Sequence, residues 1–404
     1  MALNLRIPIA AGPVLLGYLS LLASAQTGSV SFAPALTVPT ILYASAITAG
    51  DLDHRGKAAL GVAAATDDDQ ITCIAPHPLA MTYPDWVGHG YSPMHFDCDF
   101  FSAYYSGSIL FADADGDGNL DVITTDAEGS DIAISLGNSQ GQFDYGNGIS
   151  LNFSCGDNTP VQAAVADMNR DGIPDLVAIY GTGYKPRGCV AVFLGQGDRG
   201  FAPPIGTTAG VDVPHNFAVG DLNPDGFPDL VIANSESAQG PMGNLTVLLG
   251  KGDGGFGPPA ICAHPSPFAR VVLGDFDGDG SLDLSFTDNQ TLRVALGTGD
   301  GRFVATHAYR LANGAGDTAA ADFNGDGILD LVSTFSVQRS GGVAVLLGNG
   351  DGTFQPEVDF TTDENPAVAI GDFNGDGKPD IATVNGPSTL SILLNTTPWP
   401  KAKK

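Results

Sequence analysis

Residues 371–381 read GDFNGDGKPDI. Counted from Asp372, the residues Asp372, Asn374, Asp376 and Asp380 fall at positions 1, 3, 5 and 9 of a loop, with Gly377 at position 6. Oxygen side chains at alternate positions converge on one point only if the backbone turns sharply between them. Glycine at position 6 supplies the positive φ such a turn needs. The donors are oxygen alone, which is the chemistry of a hard cation. The residues that follow (IATVN, 381–385) read as a strand, so the loop sits between two β-strands.

The same loop recurs at 113–121 (DADGDGNLD), 167–175 (DMNRDGIPD), 221–229 (DLNPDGFPD), 275–283 (DFDGDGSLD) and 322–330 (DFNGDGILD), with a worn copy, DLDHRGKAA, at 51–59. Successive starts lie 62, 54, 54, 54, 47 and 50 residues apart, a period that marks a solenoid, propeller or array. The first half of each loop matches the calcium loop of an EF-hand, but the last ligand falls at position 9 instead of 12. Counting position 7 as in that loop, the expected Ca2+ donors are Asp113, Asp115, Asp117, Asn119 and Asp121; Asp167, Asn169, Asp171, Ile173 and Asp175; and Asp221, Asn223, Asp225, Phe227 and Asp229. The remaining three loops supply Asp275, Asp277, Asp279, Ser281 and Asp283; Asp322, Asn324, Asp326, Ile328 and Asp330; and Asp372, Asn374, Asp376, Lys378 and Asp380. About six structural Ca2+ sites are therefore expected. In the worn copy Arg55 holds position 5 and Ala59 position 9, so no metal is expected there, and Arg55 is expected to pair with Asp51 or Asp53.

Acidity follows from these loops. The 404-residue chain has Lys+Arg 17 against Asp+Glu 45, a net charge of −28, and the six full loops hold 20 of its Asp. At neutral pH the carboxylates within one loop repel unless a cation neutralises them, and metal binding then becomes folding free energy. No basic face exists for nucleic acid, and an acidic membrane surface would repel the chain. No second long apolar run follows the N-terminal one, so membrane insertion is not expected, and the protein is expected to be a monomer.

Residues 1–25 read as a secretory signal. Arg6 forms the positive region, 7–22 the apolar run, and Ala23-Ser24-Ala25 the cleavage site. The competing reading, a membrane anchor, is disfavoured by the short run and by Pro13 and Gly17. Secretion into an oxidising, calcium-rich medium is expected, and there disulfides are permitted. Of Cys73, Cys98, Cys155, Cys189 and Cys262, the pair 155 and 189 reaches one face of a repeat, 73 and 98 bracket an insertion, and Cys262 is left over. Five small buried hydrophobes remain the alternative.

One repeat shows the strand pattern: NFAVG (216–220) enters the loop, LVIAN (230–234) leaves it, LTVLL (245–249) returns, and a Gly-Asp turn (250–256) leads to a fourth extended run through Cys262. Such a sheet cannot bury both faces alone, and radial packing of seven solves that problem. The inner strands are rich in small residues (VQAAVAD, NFAVGD, DTAAAD, AVAIGD), which fit around a narrow channel. Residues 28–34 (GSVSFAP) match the lead-in to a fourth strand (GFAP, 200–203), while the chain ends on a third strand at 391–394. The N-terminal run is therefore expected to complete the last sheet and close the ring. The expected fold is all-β, a seven-bladed β-propeller of four-stranded antiparallel blades over residues 26–397, with 398–404 as a disordered tail.

With turns such as LLGNGDGTFQP (346–356) and LLGKGDGGFGPP (248–259), the loops resemble FG-GAP/VCBS repeats over nearly all of 28–395. The resemblance implies an integrin α N-terminal-like seven-bladed propeller, with Ca2+ between the first and second strands of its blades.

Function is less directly written. His77, His89, His95, Tyr83, Asp85, Trp86 and Tyr91, followed by Phe100, Phe101, Tyr104 and Tyr105, make the insertion of the first repeat the most aromatic stretch. It is either a ligand surface or packing that replaces the missing cation. Lys185 and Arg187 are candidates for meeting an acidic sugar. No nucleophile elbow, zinc motif or isolated carboxylate pair stands outside the loops, so no catalytic residue is assigned. The reading is a binding or adhesion module for a protein or glycan, with a polysaccharide lyase or hydrolase as the alternative.

Overall fold

In the computed structural model the described residues are 29–39, 43–65, 70–75, 97–99, 106–126, 131–156, 158–181, 188–197, 199–208, 213–235, 243–263, 269–337, 340–362, 367–385 and 389–399. Among them the chain forms four-stranded antiparallel blades, each built by successive hairpins. After β1 (Leu36–Pro39), the first blade is β2 (Tyr43–Gly50), β3 (Ala59–Ala65), β4 (Gln70–Ala75) and β5 (Asp97–Asp99). Next come β6 (Ser106–Ala112), β7 (Asp121–Asp126), β8 (Asp131–Gly137) and β9 (Phe143–Asn152), then β10 (Pro160–Ala166), β11 (Asp175–Tyr180), β12 (Cys189–Phe193) and β13 (Ile205–Thr207). The following blade is β14 (Pro214–Gly220), β15 (Asp229–Asn234), β16 (Asn244–Leu248) and β17 (Ala260–Ala263). It is succeeded by β18 (Val271–Gly274), β19 (Asp283–Asp288), β20 (Thr291–Gly297) and β21 (Phe303–Arg310), and by β22 (Thr318–Ala321), β23 (Asp330–Val337), β24 (Ser340–Leu346) and β25 (Val358–Thr362). The last three strands, β26 (Ala367–Gly371), β27 (Asp380–Asn385) and β28 (Thr389–Leu393), share a sheet with β1, in the order β1-β28-β27-β26.

Most of the described second and third strands, such as β11, β12, β15 and β16, are buried on both faces, so they read as near-continuous apolar runs instead of alternating ones. In β11 the odd-numbered Val177 and Ile179 pack toward β14–β17, while Leu176, Ala178 and Tyr180 pack toward β6–β9. One such cluster fills each junction between neighbouring sheets. The first strands β2, β6, β10, β14, β18, β22 and β26 each contact the next, and β26 contacts β2. Close approach explains a small residue at their ends: a Cβ on Gly371 would lie 2.6 Å from the Cβ of Ala58 in the first blade.

The segment before β1 behaves as the lead-in to a fourth strand. Phe32 forms a β-bridge with Asn395 as Phe201 does with Gly195, and Ala33 N donates to Leu394 O at 2.8 Å as Ala202 N does to Leu194 O at 2.7 Å. Val30 is buried with Val368, Ile381 and Leu393. Trp399, grouped above with the tail, docks on the sixth blade: its Nε1 donates to Phe323 O at 3.4 Å. Residues 1–28 and 400–404 lie outside the described residues, as do residues 76–96 and 100–105 of the insertion and the loop with Lys185 and Arg187.

Cys155 and Cys189 form a disulfide, and Cys262 is unpaired. Backbone register sets Cys73 opposite Cys98. No helix among the described residues is long and apolar enough to cross a membrane.

A chain lacking residues 29–39 should expose the edge of β28 together with Val368, Ile381 and Leu393. It is expected to melt at lower temperature and to self-associate in size-exclusion chromatography. Monomeric behaviour with an unchanged melting curve would show that this segment contributes nothing to the fold.

Candidate metal centres

Each loop leaves a first strand, turns, and enters a second. In the loop at 372–380, Asp372 Oδ1 accepts from Gly375 N at 2.6 Å and Asp376 N at 3.1 Å, and its Oδ2 accepts from Gly377 N at 2.7 Å. Asn374 Oδ1 accepts from Asp376 N at 2.8 Å, and Asp376 Oδ1 from Lys378 N at 3.0 Å. Local backbone amides thus turn the side chains at positions 1, 3 and 5 inward, and Gly377 at φ 80° makes the turn possible.

This pattern brings carboxylates together. Oxygens of Asp113, Asp115 and Asp117 lie within 4.8 Å of one another, as do those of Asp275, Asp277 and Asp283. In the other four loops asparagine at position 3 replaces one carboxylate. There Nδ2 of Asn169, Asn223 and Asn324 donates to Asp171, Asp225 and Asp326 at 2.9, 2.9 and 3.0 Å. Position 7 sends its N–H to the position-5 carboxylate, as at Asn119, Ile173, Phe227, Ser281 and Ile328. The Asp279 carboxylate belongs to this set as the acceptor from Ser281 N at 2.7 Å.

Position 9 does something the spacing did not reveal. Asp121, Asp175, Asp229, Asp283, Asp330 and Asp380 are fully buried. One oxygen of each accepts the N–H at position 2: Ala114, Met168, Leu222, Phe276, Phe323 and Phe373, all at 2.7–3.0 Å. The other accepts an N–H at the exit of the third strand: Gly137, Gly195, Gly250, Gly297, Gly348 and Asn395, at 2.7–2.8 Å. The aspartate therefore pins the loop to the third strand within its own blade, and each oxygen keeps a further lone-pair site for a cation. Burial pushes these carboxyls up, to about 6 for Asp121, Asp229 and Asp380 and about 7 for Asp330. The two backbone N–H donors pull each down, and the loop carboxylates push it up further. Asp175 and Asp283 shift the same way for the same reasons.

The donor sets fit a hard cation. The sharpest observation is in the loop at 221–229, where Pro224 at position 4 offers no N–H. There the buried Asp221 Oδ1 and Asn223 Oδ1 accept no hydrogen bond. Buried oxygens without partners are costly, and a divalent ion at this point would satisfy both. Elsewhere protein cations approach the acids. Arg199 from the third blade meets Asp115 at 3.3 Å, and Lys378 meets its own loop's Asp376 at 3.6 Å. Arg170, at position 4 with φ 61°, reaches the next loop, donating to Asp225 O at 3.2 Å and lying over the Phe227 ring. In the worn loop Arg55 pairs with Asp53 at 3.3 Å, while Asp51 still accepts from Gly56 N at 2.7 Å.

Two measurements test this division of labour. Asp330→Ala strands the buried N–H groups of Phe323 and Gly348, so it should cost roughly 2–4 kcal/mol even in saturating chelator; a loss confined to calcium-loaded protein would reduce the residue to a ligand. For the position-9 carboxyls, a folded pKa above the ordinary 3.8 means the folded state holds the proton more tightly. Their contribution is full below about pH 4 and lost as pH climbs through 6 to 7. In chelator, the melting temperature should fall between pH 5 and pH 8.

Comparison with known proteins agrees with this geometry. The FG-GAP-like repeat family matches residues 113–178, 221–286, 275–333 and 322–383, more than half of the chain. The chain is 28% identical over 184 residues to the human T-cell immunomodulatory protein and 29% identical over 191 residues to the rat one. Those alignments cover 44% and 45% of this chain but only 28% and 29% of the relatives, so the matched stretch spans under a third of their length. A solved structure of an Agrocybe aegerita lectin that recognises non-reducing terminal N-acetylglucosamine superposes with TM-score 0.51 at 18% identity, over 90% of this chain and 94% of that one. At that identity the likeness is one of fold. Repeated loops, four-stranded blades and family match together make this chain a member of the FG-GAP-like repeat family of β-propellers.

Proposed function

We propose that this protein is an exported, calcium-stabilised interaction module. Its seven sheets form one closed ring, and its exposed loops present a surface to a protein or glycan. The observation that carries the reading is the repetition of one inward-turned oxygen cluster in six blades, with two buried oxygens in the 221–229 loop that accept no hydrogen bond. The side chains at positions 1, 3 and 5, the carbonyl at position 7 and the carboxylate at position 9 would hold the ion. Bound Ca2+ supplies positive charge that neutralises the cluster; it takes part in no reaction. Closure is supported by the pairing of β1 with β28 and by the contact of β26 with β2. Export is supported by the N-terminal leader pattern and by the Cys155–Cys189 disulfide.

Similarity to T-cell immunomodulatory protein supports a protein partner, and the lectin's fold makes a glycan the second class. The chain's excess of acid favours a basic or cation-bearing partner surface.

Excess chelator should lower the melting temperature of the mature protein, and Ca2+ should restore it. An unchanged curve for protein shown to be metal-free would remove calcium from the reading. Screened against extracellular proteins, glycans and polysaccharide substrates, the protein should bind without turnover; measurable turnover would favour a polysaccharide-active enzyme.

A further inference from the structure

The cation loops leave the C-terminal ends of the first strands. At the opposite ends of the same strands, roughly 17 Å away, the central channel opens into a cavity of about 370 Å3. Most of its polar lining comes from one repeat position, five residues before each loop: Ser108, Gln162, Asn216, Arg270 and Asp317, with alanine in the other two repeats; His215, whose Nε2 lies 2.8 Å from Ala269 O, also lines it. The repeats share their loops and strands, yet this position carries a hydroxyl, two amides, a guanidinium and a carboxylate.

The backbone is adapted to aim them. Register shifts interrupt β2, β6, β10 and β14 at this level, between Pro160 and Gln162 and between Pro214 and Asn216 in the last two. Such irregularities redirect side chains. Neighbouring blades then lock them in place. Gln162 Oε1 accepts from Asn216 Nδ2 and Phe217 N, both at 3.1 Å, Asn216 Oδ1 accepts from Val271 N at 2.8 Å, and Asp317 Oδ2 accepts from Val368 N at 3.1 Å. The acceptors are consumed by the fold. What remains is donor-rich: Gln162 Nε2 and the Arg270 Nη atoms donate to no acceptor among the described residues. Arg270 Nε lies 3.7 Å from Asp317 Oδ1, and 40% of the Arg270 side chain is exposed.

We propose that this end of the channel binds a monosaccharide-sized hydroxylated carboxylate, a sugar acid. A guanidinium fork matches a carboxylate, the amide and hydroxyl groups match ring hydroxyls, and Ile47, Ile109 and Val161 offer apolar contact for its C–H face. The volume lies at the lower end of the range for small-ligand pockets. The site is independent of the calcium loops and of any partner on them, so failure of either reading leaves the other intact.

Isothermal titration of the full mature chain with glucuronate and with its neutral counterpart glucose decides the matter. Glucuronate should bind and glucose should bind at least about tenfold more weakly. Arg270→Gln should weaken glucuronate by a similar factor and Arg270→Lys by less, whereas Asp317→Asn, which removes the anion beside Arg270, should tighten it. Melting curves verify that each variant is folded. No heat with millimolar glucuronate, equal affinity for glucose, or affinity indifferent to a folded Arg270 variant overturns the proposal.

Discussion

A buried aspartate that accepts two backbone N–H groups is the constraint on which each of six blades depends. Asp229 holds Leu222 N with one oxygen and Gly250 N with the other, at 2.8 and 2.7 Å. It thereby ties the first loop to the turn after the third strand. Only a short side chain with two acceptor oxygens can join amides approaching from both sides. The arrangement sets a charge in the interior, among the acids of its own loop. Loop geometry, blade geometry and the charge of the clustered acids are one electrostatic problem. The first blade has Ala59 at this position; there Arg55 meets Asp53 as an internal counter-charge.

Packing between blades supplies the second requirement. Because most middle strands are buried on both faces, each apolar cluster belongs to two neighbours. Fully buried Phe276, Phe323 and Phe373, each following the first Asp of a loop, carry this packing up to the loop itself. The acidic loops are thereby seated on a rigid base, and damage at either the loop or the junction should be felt at both.

The two ends of the channel have opposite chemistry. Acidic loops crowd one end, where oxygen acceptors predominate. At the other end the side chains spend their oxygens on neighbouring strands and leave donors facing the cavity. Protein cations also reach across this end: Arg199 meets Asp115 of another repeat, and Arg170 donates to the backbone carbonyl of Asp225 in the next loop.

Much of this was legible in the sequence because it is local. Loop spacing, glycine at position 6, strand runs and the resemblance of residues 28–34 to later strand lead-ins all lie within about ten residues. The same holds for the expectation that Arg55 pairs with an aspartate of its own loop. What the sequence could not show depends on groups brought together from afar. The amide that completes the Asp229 pin comes from Gly250, 21 residues on, so spacing alone reads that aspartate only as a ligand. Gln162, Asn216, Arg270 and Asp317 form no motif, and their common place five residues before each loop gains meaning only when the blades set them around one channel. The chain by itself determined its repeat, its strands and its acidic turns, since these need only neighbouring residues. The tertiary structure decided which carboxylates are pinned, which oxygens lack partners and which side chains share a cavity, because those depend on contacts between strands and between repeats.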